Sequence, residues 1–447
     1  MKLKMVEVLE ATGGKLLRKE KEIFWGVSID SRTLQGGELF IALKGKNFDG
    51  HDFVKSAFQA GAFGSLVNRT LDLLKGTLIQ VKDTKEALGS LARYMRKKRG
   101  FKVIAVTGTS GKTTLKDMLY QYLSLHTPSG ASPGNFNNLV GLPLSLLNLP
   151  DNCENAVLEL GISLPGEMER LGWMALPEVS IFSSLGPAHL EGLESIEKIW
   201  EEKKKLLGFT SEGCIYNQDL IPPRLIRDFS GWKKGFGLKE GEVRPLWISF
   251  DFLYRAQLRV EEGEVSFRSP GKSVVYAFLA TLALARCWGL PVNTLLKWVK
   301  EFELPPHRLN IKKAGGIVVL DDTYNSNPLS LKEFIEVMDR MKVNGKKIAV
   351  VGDMKELGYK SEYYHREAGK KLASSSIEVV VTFGEEARFL WEEVRKSKRS
   401  WHFEDKRRLM DKLLSLLEEG DLVGIKGSRA MEMEEIVEDV LSFPLPA

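Results

Sequence analysis

The chain has 447 residues and a mass of 50.2 kDa, enough for roughly three domains at about 150 residues each. With 43% hydrophobic and 28% charged residues it has the composition of a packed globular protein, which excludes wholesale disorder. The net charge of +5 suits a small anionic substrate without calling for nucleic acid.

The longest apolar stretch, residues 274–285, is far shorter than the ~20 residues of a membrane span. The opening MKLKMVEVLEATGG lacks a long apolar core before a cleavage site, so no secretory leader and no membrane insertion are expected. Cys153, Cys214 and Cys287 are scattered without metal-ligand spacing. They fit a reducing cytoplasm rather than a disulfide framework or a structural zinc site.

In chain order, residues 1–82 mix short strands and turns, with strands expected at 40–43 and 64–67 and a helix at 53–60. Asp83, with Glu86 three residues on, predicts a capping-box-like helix start. Leu88, Leu91, Ala92 and Met95 then recur at helical spacing. The basic run Arg96-Lys97-Lys98-Arg99 is expected in solvent at that helix's end, complementing its dipole. A central α/β domain spans 83–309, with buried strands at 103–106, 156–160 and 179–182 and a hinge at Pro305-Pro306. Residues 310–447 place strands at 317–320, 348–351, 379–381 and 422–425 between helices, a second parallel sheet of Rossmann type without GxGxxG. The fold class is therefore α/β in three domains.

The strongest local motif is Thr107-Gly108-Thr109-Ser110-Gly111-Lys112-Thr113-Thr114, between a buried strand and a helix. That context marks a phosphate loop: glycines turn backbone N–H groups inward, and the helix N-terminus adds positive dipole charge. Lys112 is placed to contact the β- and γ-phosphates of ATP, and the Thr113 hydroxyl to hold Mg²⁺. The spacing departs from GxxxxGK[ST], because Val106 stands where the early glycine would fall. Such a loop alone fits a kinase, a GTPase, an ATPase or a ligase.

Further groups are candidates for the same site. Glu159 ends a buried strand, where a carboxylate can bind Mg²⁺ or simply be solvated. His189 follows the next strand, as a ligand or a hydrogen-bonded loop residue. Ile196, Ile199, Trp200, Leu206 and Leu207 define an apolar helix stripe that contains Lys203, with Lys198, Glu202 and Lys205 on another face. Lys203 either snorkels to solvent or is an amine with a depressed pKa available for chemistry.

Four segments of the central region bring these groups together: 107–114, Asn135-Phe136-Asn137-Asn138 with its continuation to 143, Leu158-Glu159-Leu160-Gly161, and Pro187-Ala188-His189-Leu190. Together they resemble the Mur ligase family. Residues 321–328, 352–358 and 426–431, with Asp30-Ser31-Arg32 and the 43–53 segment, extend the resemblance over nearly the whole chain. They narrow it to the members that join D-alanyl-D-alanine to a UDP-N-acetylmuramoyl-tripeptide.

The resemblance implies that ATP phosphorylates the tripeptide's terminal carboxylate and that the dipeptide amine displaces phosphate from the acyl phosphate. It implies Mg²⁺ on Thr113 and Glu159, with His189 and a carbamylated Lys203 serving a second ion. It implies that Gly108 to Thr114 bind ATP with Asp322 and Asn325, and that Arg308 reaches the γ-phosphate. Ser31, Arg32, Lys44, Asn135 and Asn138 are then substrate-binding, and the enzyme is a cytoplasmic monomer.

The chain departs from the family pattern at three places. Lys205 stands where an acid is frequent, and His307 rather than Gly precedes Arg308. Residues 272–277 replace a His-Asn-x-x-Asn-Ala pattern, so Tyr276 is expected to offer the base a ring to stack on or a hydroxyl. The nearest rivals are a sister ligase adding one amino acid and a folate glutamate ligase; the 324–328 and 426–431 motifs favour the dipeptide. A P-loop kinase or GTPase leaves the N-terminal unit, His189, Lys203 and the last sheet without roles. Retention of Lys112, Thr113, Glu159 and Lys203 argues against a non-catalytic sensor.

Overall fold

Apolar strands separated by helices set three mainly parallel sheets one after another along the chain, described over residues 1–45, 47–71 and 75–443 of a computed structural model. Lys46, in the N-terminal motif, lies outside the described residues.

The first sheet has five strands in the order Lys15–Arg18, Thr77–Gln80, Gly64–Val67, Leu39–Ile41, Val27–Ser28, antiparallel only at its first pair. The helix expected at 53–60 begins earlier, as a tight turn at Gly50–Phe53 that runs into Val54–Gln59. Asp49 is the cause. Its carboxylate accepts from the His51 backbone N–H at 3.0 Å and lies 2.6 Å from His51 Nδ1.

Helix Thr84–Arg99 starts at Asp83, whose carboxylate accepts from the Glu86 N–H at 2.9 Å, and ends at Gly100 with φ +67°. The reciprocal half of the expected box is absent, because the Glu86 carboxylate pairs with Arg170 instead. The basic run occupies this helix's last turn with Lys97 and Lys98 exposed as the sequence suggests, but Arg96 departs from a solvated face. Arg96 is buried, with Nη2 2.8 Å from both Glu178 carboxylate oxygens and Nε donating to the Ala175 carbonyl. Lys98 pairs with Glu7, and Arg99 donates to the Leu149 carbonyl at 3.3 Å. Arg96, Lys98 and Arg99 thereby tie neighbouring segments together.

The second sheet is parallel throughout: Trp232–Phe236, Gly213–Asn217, Val179–Phe182, Lys102–Thr107, Asn155–Glu159, Ser129–Ala131. Helices Lys112–Ser124 and Ser273–Trp288 pack on it and on each other. A small antiparallel sheet of Trp247–Phe250, Arg255–Val260 and Gly263–Pro270 precedes the second of these helices.

The connector after Glu301 contains Pro305 and Pro306, with left-handed backbone at His307 (φ +62°) and Leu309 (φ +52°). It enters the last sheet, ordered Asn310–Ala314, Ile317–Asp322, Leu422–Lys426, Lys347–Gly352, Val379–Phe383, Arg399–Phe403 and parallel beyond its first hairpin. One apolar core runs through all three units, and a second fills the other face of the last sheet.

Candidate active site

Lys102–Thr107 lies between Val179–Phe182 and Asn155–Glu159, with Phe182 opposite Thr107 and Glu159 opposite Val106. The loops that follow these strands therefore open on one sheet edge, where ligands of open α/β folds bind. Gly108 has φ +151°, and a Cβ there would stand 2.1 Å from Ser183 Oγ and 2.9 Å from the Ser184 N. Only glycine fits so close an approach. The serines brace the loop: Ser184 Oγ accepts from the Ser110 N–H at 2.8 Å and Ser183 Oγ donates to the Ser110 carbonyl at 2.7 Å. A neighbouring loop thus shapes the phosphate loop, which needs no early glycine at Val106.

Helix Lys112–Ser124 begins at Gly111 with no side chain capping it, so its first-turn N–H groups face the cavity. Lys112 Nζ donates to the Gly108 carbonyl at 3.1 Å, and burial pushes its pKa down. Thr113 Oγ1 donates to Glu159 Oε2 at 2.7 Å and accepts from Arg308 Nη2 at 2.8 Å. Glu159 Oε1 accepts from Asn137 Nδ2 at 2.8 Å. The Arg308 guanidinium lies 4.0 Å from the centre of the Tyr324 ring.

From the last sheet, Asp322 Oδ2 accepts from Lys426 Nζ at 2.6 Å, and Oδ1 from the Leu309 N–H at 3.2 Å. Burial pushes the Asp322 carboxyl up although Lys426 opposes it. Lys426 Nζ also donates to the Asn325 carbonyl at 2.8 Å. His189 has φ +53°, and its Nδ1 pairs with the Glu356 carboxylate, which that bond holds below the usual range.

A cavity of about 420 Å³ collects Thr109 to Thr114, Asn135, Asn138, Glu159, His189, Arg308, Asp322 and Asn325. Asn138 Oδ1 accepts from the Val140 and Gly141 N–H groups, so that oxygen is spent on starting helix Gly141–Leu147. Tyr276 lies in a separate cavity of about 190 Å³ across Ser110 and Gly111. Its hydroxyl donates to Asp219 Oδ2 at 3.0 Å, so the ring is what it offers a ligand. Ser31, Arg32 and Lys44 stand apart on the N-terminal unit; Asp30 grips Arg32 at 2.7 Å, which pulls the Asp30 carboxyl down to about 2. A groove of about 1000 Å³ runs from Thr113, Asn135 and Arg308 to Asn148. Asn148 in turn holds the Val27 backbone of the N-terminal unit.

Lys203 is 3% exposed, so it does not snorkel. Its amine donates to the Gly108 carbonyl at 3.1 Å from behind the loop. Burial, with Lys112 nearby, drives its pKa well below the ordinary lysine value. Glu202, on another face of the helix, is also buried: it accepts from the Met168 N–H at 3.0 Å and from Lys205 at 2.7 Å.

Among the described residues no group of three or more His, Cys, Asp or Glu could hold a metal by itself. Thr113 and Glu159 form a hydroxyl and carboxylate pair on an open cavity wall. That donor set fits Mg²⁺, which keeps waters and takes phosphate oxygens to complete its shell.

Asn137, Ser183, Ser184, Glu356 and Lys426 escaped the sequence reading as site residues. Asn137, Glu356 and Lys426 fall within the segments that carry the family resemblance, the one signal that marks them. Ser183 and Ser184 carry no signal beyond following a buried strand.

Three family profiles match: the Mur ligase middle domain over residues 106–285, the Mur ligase glutamate ligase domain over 307–429 and the Mur ligase family catalytic domain over 24–96. The chain is 34% identical to the UDP-N-acetylmuramoyl-tripeptide–D-alanyl-D-alanine ligase of Bacillus subtilis, over 95% of each chain. It is 33% identical to that of Escherichia coli, over 92% of each. Its fold matches a MurF crystal structure from Acinetobacter baumannii with a TM-score of 0.92, 28% identity and 99% of each chain covered. It matches the MurF ligase of Thermotoga maritima in complex with ADP with a TM-score of 0.82 and 30% identity, over 93% of this chain and 96% of that one.

Proposed function

The chain belongs to the Mur ligase family, and from that premise we propose how its residues divide the work of an ATP-dependent ligase. The enzyme joins D-alanyl-D-alanine to UDP-N-acetylmuramoyl-tripeptide, in peptidoglycan synthesis. A carboxylate oxygen of the tripeptide takes the γ-phosphoryl group of ATP and ADP departs. The dipeptide amine then attacks the acyl carbon, the C–O bond breaks, and phosphate leaves with that oxygen.

The observation that carries the division of roles is convergence: Lys112, Thr113 and Glu159, the connector's Arg308, and Asp322 with Asn325 line one cavity. Lys112 and the loop N–H groups hold the β- and γ-phosphates and the charge that develops on transfer. Thr113 and Glu159 would hold Mg²⁺, with His189 near a second ion, and the bound metal would supply charge neutralisation to the phosphates. Arg308 swings from the Thr113 hydroxyl to the γ-phosphate. Asp322 and Asn325 face ATP from the last sheet, and Tyr276 walls the base.

Lys203 carries a carbamate in the working enzyme: its neutral amine adds to CO₂, the adduct loses a proton, and the side chain becomes an anion. The depressed pKa supports this, since the neutral amine is the nucleophile. Ser31, Arg32 and Lys44 hold the uridine end, reached along the groove that passes Asn135, while Asn138 meets the peptide end. The working units are residues 1–82, 83–309 and 310–447. No helix among the described residues is long and apolar enough to cross a membrane. We place the enzyme in the cytoplasm, as a monomer.

Phosphate release with ATP and UDP-N-acetylmuramoyl-tripeptide tests the acceptor. Release should depend on D-alanyl-D-alanine and fail with single amino acids or glutamate. Equal release with a single amino acid points to the sister-ligase activity instead.

A further inference from the structure

The cavity beside the phosphate loop mixes apolar and polar walls, and one buried donor on it has no partner among the described residues. Asn217 closes the strand Gly213–Asn217 at the carboxyl end of the central sheet and is fully buried. Its Oδ1 accepts from the Asp219 N–H at 3.2 Å, a turn that fixes which way the amide faces. Its Nδ2 is buried without a hydrogen-bond partner, and the residue lines the 190 Å³ cavity with Ser110, Gly111, Phe236, Tyr276 and Leu329. A buried donor left unpaired is costly, so one on a cavity wall points to a ligand acceptor.

Most of the cavity's other polar groups are already engaged, and Lys332, which also lines it, is exposed to solvent. The Tyr276 hydroxyl donates to Asp219, whose carboxylate also accepts the Leu238, Lys239 and Glu240 N–H groups. Glu333 accepts the Lys272 and Ser273 N–H groups, and Lys272 Nζ pairs with Glu336. The Ser183 and Ser184 hydroxyls are bound to Ser110. Helix Ser273–Trp288, where the Asn pair of the family pattern would fall, presents Tyr276 and Ala277 here.

We propose that Asn217 Nδ2 is the base-reading donor of the nucleotide site, giving a hydrogen bond to an unprotonated ring nitrogen of the adenine while the Tyr276 ring walls it. The proposal rests on the reading of the phosphate loop as an ATP site. It moves base recognition from the long helix to the turn after the Gly213–Asn217 strand.

Calorimetric binding of ADP and its 1-, 3- and 7-deaza analogues, each with one ring nitrogen replaced by carbon, tests it on the wild-type protein and on Asn217→Asp. The variant keeps the oxygen that holds the Asp219 N–H and loses the donor. One analogue should bind the wild type about tenfold more weakly than ADP, the size of one neutral hydrogen bond. Asn217→Asp should weaken ADP by a similar factor and bind ADP and that analogue alike. If all three analogues bind the wild type as ADP does, or if the variant still separates ADP from the weak analogue, the proposal is overturned. The wild-type analogue series decides alone if the variant does not fold. Wild-type protein that binds no ADP at all would instead overturn the ATP-site reading beneath the proposal.

Discussion

Single residues carry the chemistry and show most sharply what a sequence can disclose. Lys112 was legible because strand, loop and helix are contiguous and its role is local. Lys203 was legible as an anomaly in an apolar stripe, and it lies behind the loop on the Gly108 carbonyl. Asn137 and Glu356 were not legible as site residues, because each matters only through a partner distant in sequence, Glu159 and His189. Lys112→Ala should cut ligation by about 10²-fold or more with unchanged circular dichroism, as loss of a preorganised charge contact does. Near-wild-type turnover would remove the loop from catalysis. Tyr276→Ala should raise the ATP KM several-fold, a loss of about 1 kcal/mol of ring contact, while Tyr276→Phe leaves it within about twofold. A large effect of the Phe variant would return the hydroxyl to the binding site.

The Lys203 amine also predicts a pH dependence of stability. Its folded pKa is depressed below the ordinary 10.5, so the unfolded chain binds the proton more tightly. Burying the amine therefore costs stability at pH values where the unfolded chain holds the proton more tightly. Stability rises as pH climbs from the depressed folded value toward the ordinary lysine range. In CO₂-free buffer, Lys203→Met should raise the urea midpoint at pH 7, and the advantage should shrink toward pH 10. An advantage that does not change with pH would mean the amine is not the cause.

At the scale of elements, period and punctuation gave the strands and helices, and pairing across long separations corrected their surroundings. The strand at 64–67 and the helix opening at Asp83 follow from local pattern. The misread end of that helix follows from what local pattern lacks, since Arg96 meets Glu178 across 82 residues. A basic run looks solvated until its partners are known. Arg96→Ala leaves the Glu178 carboxylate without its cation beside the central strand, where it also accepts the Val103 N–H. The variant should lose about 3 kcal/mol in urea unfolding. A loss below about 0.5 kcal/mol would return the run to the solvated surface.

At the scale of the molecule, the parallel sheets meet at a connector whose Arg308 spans from the last unit's entrance to Thr113. That placement makes Arg308 a test of inter-unit cooperation. Arg308→Ala should reduce kcat by about 10²-fold while ADP binding stays within a few-fold, because its work lies in the transferring phosphoryl group. An equal loss in ADP affinity would make it a ground-state binding group.

The central claim is that carboxylate activation and amide formation occur in one cavity through one transferred oxygen. UDP-N-acetylmuramoyl-tripeptide labelled with ¹⁸O in its terminal carboxylate, turned over with ATP and D-alanyl-D-alanine, measures it directly by mass spectrometry of the phosphate. One labelled oxygen in each released phosphate, matched by one amide product, is the predicted result. Unlabelled phosphate, or phosphate released without the amide, would contradict it.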